Sequence, residues 1–264
     1  MGCLKLEILD QQYKRTEPKV SYRQKELTFD FCAGKERRLL VYAYCYNNPL
    51  KYIDPTGKSG EAVIDEENKT ITVNVHMIFY GGAATKENAE KVKDGMQKMW
   101  NDADGKLTRK GVEYSVKYNV TYQIESERDA SDMAKSNTNV QNNFVRLEDK
   151  GQSQFFSNAG YFSMSDGATT WSHEMGHNLG LNYHSDYVSG TTPNIMVPRN
   201  ARDATTGEVV NPATRTVQQR DVQNTFRGAF WLDGRARIGS GRVANTIFDK
   251  NGGIKYEDKG IQRR

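Results

Sequence analysis

Residues 59–264 contain no cysteine: Cys3, Cys32 and Cys45 all fall in the first 58 residues, at irregular spacing. This excludes a disulfide framework and a thiolate zinc finger. Any metal held beyond residue 58 must be held by nitrogen and oxygen. Long apolar runs are lacking too. The longest, Leu39–Tyr46, falls far short of the roughly 20 residues a membrane-crossing helix needs and reads as a strand. No apolar signal-type stretch follows Met1, and Leu6 stands where a myristoylation motif wants Ser or Thr. The expectation is a protein made in the cytoplasm without a signal peptide and with no membrane span. Net charge is scarce where it would matter. The whole excess of +4 lies in residues 1–58, and residues 59–264 balance, so that part carries no electrostatic footprint for nucleic acid.

The aromatic residues are plentiful. Fourteen Tyr, ten Phe and three Trp are spread along a chain of mean hydropathy −0.78, which marks a folded protein rich in loops rather than a disordered tail. Residues 70–81 alternate and are β-branched, a strand. Residues 85–103 place Ala89, Val92, Met96 and Trp100 at helical spacing behind a Thr85 cap. Residues 111–126 read as one or two strands, and 159–164 as a short strand before a turn. Residues 214–230 read as a C-terminal helix, and 245–258 as a hairpin about Asn251-Gly252. The polar stretch 57–70 reads as a loop joining an N-terminal segment, 1–58, to a domain, 59–264. His76 reads as an ordinary strand residue.

Three of the four histidines lie in "TTWSHEMGHNLGLNYHSD", Thr169–Asp186. Residues four apart on a helix differ by about 40° in azimuth, so His173 and His177 share one face and can reach one ion. Glu174 follows the first histidine, where its carboxylate can take a proton from a metal-bound water without being a ligand. Gly180 stands where a left-handed residue would end the helix and turn the chain. His184 follows soon after, and Met196 lies in a Pro-flanked turn.

His173, Glu174, His177, Gly180 and Met196 together resemble the metzincin zinc peptidases, with their His-Glu-x-x-His, glycine three residues on, third histidine and methionine turn. The resemblance implies an α+β zincin fold: a twisted mixed sheet, an active-site helix and a C-terminal helix. It also implies a Zn²⁺ cofactor, Glu174 as general base, and the strand 159–164 as the rim that pairs with extended substrate. One spacing departs from the family. Leu181, Asn182 and Tyr183 separate Gly180 from His184, where the family has two residues. His184 is the expected third ligand, with Asp186 and Tyr183 as alternatives. A thermolysin-like distant glutamate is disfavoured, because no Glu follows Glu174 until Glu208.

Upstream, Tyr42, Tyr44, Asn47, Asn48, Pro49, Asp54, Pro55 and Gly57 resemble the end of the core of bacterial Rhs-repeat proteins, which commonly precedes a variable toxin domain. Lys58 stands where self-cleaving members have an apolar residue. Together the resemblances imply a zinc endopeptidase delivered as a bacterial toxin or effector by a dedicated secretion system. Its partners would be a protein or peptide substrate and an immunity protein. The competing expectations are a non-catalytic module stapled by its metal for binding, and an orphan Rhs fragment that is never delivered.

Overall fold

A computed structural model describes residues 59–139, 141–182, 191–203, 206–239 and 246–256. The N-terminal segment 1–58, with its Rhs-like motif, and Tyr183, His184 and Asp186 lie outside the described residues.

The central strand is β2 (Thr70–Tyr80). Along one side it pairs in parallel with β4 (Val112–Ile124), from Thr70↔Ser115 to Phe79↔Ile124, and β3 (Lys106–Arg109) closes that edge antiparallel to β4. Its other side is shared by two strands set end to end. β1 (Gly60–Asp65) runs antiparallel to Thr70–Asn74, while β5 (Asn142–Glu148) runs parallel to His76–Tyr80. Beyond β5 come β7 (Ala159–Ser163), parallel to it, and then β6 (Gln154–Phe156), antiparallel and at the edge. Beyond β1 come β9 (Arg235–Ile238) and β8 (Trp231–Leu232), both antiparallel to their neighbours. The fold is α+β on a mixed sheet.

Alternation along β2 divides the core. Ile71, Val73, Val75, Met77 and Phe79 face α1 (Lys86–Asn101) and α3 (Ala168–Asn178), whereas Ile78 and Tyr80 pack with Ala130 and Ala134 of α2 (Glu127–Lys135) and Ile247 of β10 (Thr246–Phe248). Met77 to Tyr80 are therefore buried in succession, the pattern of a strand covered on both faces. β10 pairs with β11 (Ile254–Tyr256) around the turn at Asn251-Gly252. In α1 the side chain of Thr85 caps the amide of Asn88, and Ala89, Val92, Met96 and Trp100 are the buried residues. Burying Val92 and Met96 contributes roughly 1.5–3 kcal/mol each.

Three expectations need correction. The presumed loop 57–70 contains β1, because Glu61 to Asp65 pair with β2 and Gly60 to Val63 pair with β9. The strand 159–164 is not the rim. β7 is flanked by β5 and β6, so among the described residues the terminal strand on this side of the sheet is β6. The C-terminal helix, α4, spans only Gln219–Thr225, since Gly228 takes φ +72° shortly after it and the chain passes into β8.

Candidate functional site

Helix α3 carries His173, Glu174 and His177 and is buried almost all round, from Thr170 to Gly176. A helix without a solvent face is fixed by neighbours on every side. Trp171 donates its indole N–H to the Ser163 carbonyl of β7 (3.1 Å), and Trp100 of α1 donates to the Ser172 carbonyl (3.3 Å). Gly95 lets α1 approach closely: a Cβ there would lie 3.0 Å from that of Ala168.

The helix ends in a Schellman turn. Gly180 takes φ +88°, its amide bonds to the His177 carbonyl (3.0 Å), and the Leu181 amide reaches back to the Gly176 carbonyl (2.9 Å). This turn brings the Leu181 carbonyl to His177 Nδ1 (2.9 Å). His173 Nδ1 lies 2.6 Å from the carbonyl of Ile195. A carbonyl oxygen at that range requires Nδ1–H on each ring, so Nε2 is the lone-pair nitrogen on both, the form in which a histidine binds a metal. The two rings are 4.8 Å apart, centroid to centroid, and nearly perpendicular. Burial holds both rings neutral. His173 is depressed to about 3 by desolvation, opposed by its bond to Ile195 and reinforced by the charge of Arg215, and His177 is lowered by desolvation as well.

Glu174 is only 7% exposed. Desolvation pushes its carboxyl up to about 7, while Arg199, Arg215 and a hydrogen bond from the Phe155 amide of β6 pull it down. Strand β6 packs beside helix α3.

Met196 sits in a turn closed by the Val197 amide on the Asn194 carbonyl (3.0 Å), with the Asn194 side chain accepting the Met196 amide (2.8 Å). The Asn194 side-chain amide bonds Asp221 of α4, whose carboxylate also accepts the Gln218 amide. The turn is therefore anchored to the C-terminal helix. Its methionine lies against the helix backbone at Gly176, where a Cβ would collide with the Met196 sulfur.

His173, Glu174, His177, Gly180 and Met196 are thus gathered around one stretch of helix. His76 lies elsewhere, its ring bonded to Thr121 and Gln123 of β4. Among the described residues, no group of three or more His, Cys, Asp or Glu gathers as metal ligands. The donor chemistry of the two imidazoles fits a divalent ion of zinc type.

The sequence reading passed over Arg215, Arg199 and Asp166. Arg215 is 1% exposed; it donates to the carbonyls of Pro212 (3.0 Å) and Val197 (2.7 Å), and its Nη1 lies 3.1 Å from His173 Nδ1. Nδ1 already gives its proton to Ile195, so this last contact places a positive charge behind the ring rather than a second bond. Desolvation lowers Arg215 to about 10. Arg199 pairs with Asp166 (3.0 Å), which also accepts the Ser153 hydroxyl (2.6 Å). An arginine three residues past the methionine turn was the one available signal.

No family model matches the chain, and no curated protein or solved structure matches it.

Proposed function

We propose that residues 59–264 form a zinc-dependent endopeptidase of metzincin type. The observation that carries this reading is the paired preparation of the two imidazoles. Each gives Nδ1–H to a main-chain carbonyl, which makes Nε2 the unprotonated ring nitrogen, and the buried Glu174 carboxylate lies on the turn between them. Chain order supports the finer fold assignment: β2, α1, β3, β4, α2, β5, β6 and β7 precede α3, and the Met196 turn and α4 follow it.

His173 and His177 would hold the ion, and His184 is proposed as the third ligand, with Asp186 and Tyr183 the alternatives. A bound zinc would supply the Lewis acidity that activates water and polarises a scissile carbonyl. Glu174 would hold a proton at its carboxylate and pass it to the leaving amine. The terminal strand β6 packs beside α3 and is the candidate strand for meeting an extended peptide. Delivery as a bacterial toxin, with an immunity protein as partner, is the part of the proposal that rests on the resemblance of Tyr42–Gly57.

The test is metal analysis of the purified chain beside a protein-cleavage assay. About one zinc per chain is expected, with cleavage abolished by a chelator. Glu174→Gln should keep the metal and lose proteolysis by about 100-fold or more, the usual worth of a general base. Absence of stoichiometric metal after reconstitution, or full turnover by Glu174→Gln, would remove the proposal.

A further inference from the structure

Arg215 is a buried cation held by main-chain oxygens alone. Its Nε donates to the Pro212 carbonyl (3.0 Å) and its Nη1 to the Val197 carbonyl (2.7 Å). Nη2 is buried too and meets no acceptor. Arg199 nearby is offset by Asp166 at 3.0 Å, whereas among the described residues Arg215 has no carboxylate in ion-pair contact. Glu174 and Asp166 feel its charge only from further off. Joining two carbonyls needs no more than neutral donors, and a buried charge is the costlier way to do it.

That uncompensated charge falls on one imidazole. Nη1 stands 3.1 Å from His173 Nδ1, and Nδ1 gives its proton to the Ile195 carbonyl (2.6 Å). Nη1 therefore adds charge to the back of the ring without adding a bond. At His177 the same ring position is met by the Leu181 carbonyl (2.9 Å). A carbonyl behind a histidine raises the ring's basicity and strengthens its donation to a metal. A cation there acts in the opposite sense, and with Arg215 only 1% exposed neither water nor salt screens it well.

From this geometry, and resting on the peptidase reading above, we infer that Arg215 is a positioning residue that acts through His173: its charge makes that ring the weaker metal donor of the pair, so the site holds its ion less tightly and leaves it a stronger Lewis acid.

The experiment uses the full chain and zinc alone, with affinity read by competition against a chelator. Arg215→Lys and Arg215→Met are compared, because both lose the planar fork that joins Pro212 to Val197 and they differ in charge. The comparison runs between about pH 6 and 8, so that a buried lysine keeps its proton in part of the range. Arg215→Met should bind zinc about tenfold more tightly than Arg215→Lys at the acid end, the effect of one unit charge facing a dication through a single ring. A residue that merely ties the two carbonyls together would weaken zinc equally in both variants, and that equality would overturn the inference. Should either variant fail to fold, nitrogen-15 NMR of the metal-free parent remains as a test. His173 should carry its proton on Nδ1, and a ring protonated on Nε2 would overturn the inference, because Arg215 would then be bonded to the Nδ1 lone pair. A parent that binds zinc, with Arg215→Met no tighter than Arg215→Lys, removes the role of Arg215 and leaves the peptidase standing. Zinc binding with the expected order but no cleavage of any protein removes the peptidase and leaves the role of Arg215. A parent that binds no zinc overturns both.

Discussion

Replacing Gly176 with alanine is a direct test of how the methionine turn meets the helix. In an ordinary helix interior the change stabilises by about 0.5–1 kcal/mol, because glycine gives up more backbone freedom on folding. At position 176 the new Cβ would overlap the Met196 sulfur and come within 3.2 Å of its methyl and 3.6 Å of the Trp100 ring. Both residues are fully buried. Overpacking a core that cannot yield costs about 1–3 kcal/mol, which outweighs the helix gain. Gly176→Ala should therefore lose about 1 kcal/mol net, read as a lower midpoint in urea unfolding at unchanged slope. The second arm of the test is Met196→Ala, which alone should cost about 2–5 kcal/mol through its cavity. In the double variant the alanine methyl fills part of that cavity and no longer meets a sulfur. The combined loss should then fall short of the sum by about 1–2 kcal/mol. A Gly176→Ala protein more stable than the parent, or strict additivity in the double variant, would refute the close approach of Met196 to the helix.

Two further outcomes are expected. Asn194→Ala leaves the Met196 amide without its acceptor and takes one of the bonds from the buried Asp221, so stability should fall by about 1–3 kcal/mol, measured by denaturant unfolding. His184→Ala should weaken zinc binding severely in competition with a chelator, while Tyr183→Phe leaves it near the parent value. Loss of zinc from Asp186→Ala or Tyr183→Phe with retention in His184→Ala would reassign the third ligand.

What the sequence discloses depends on how local the cause is. Helix α1 could be read because cap and buried face lie within seventeen residues, Thr85 to Asn101. The placement of Gly180 after His177 is likewise a matter of a few residues. Helix α2 escaped notice because its buried residues are only Ala130 and Ala134, too small to write an apolar stripe. Strand β1 looked like loop because its strand character comes from two partners, one of them β9, which lies more than 170 residues away in sequence. The same reason hid the surroundings of Glu174. Arg199, Arg215, Asp166 and Phe155 come from four separate segments, and no spacing rule links them before the sheet, the methionine turn and the 212–214 turn are assembled.

The two histidines are secured at very different ranges of sequence. The Leu181 carbonyl that fixes His177 is four residues away, within the same helix end. The Ile195 carbonyl that fixes His173 is twenty-two residues away, across the segment leading into the methionine turn. A local opening that lifts the methionine turn would therefore free one ring and spare the other. Half of the donor set would survive such a fluctuation in working order, still neutral and still presenting Nε2. During folding the order reverses: His177 is set as soon as the helix terminates, and His173 waits for the closure of a longer loop. The pair of fixed rings is thus completed by the tertiary step, and if they hold the proposed ion, two-ring binding would report closure of the methionine turn rather than formation of the helix.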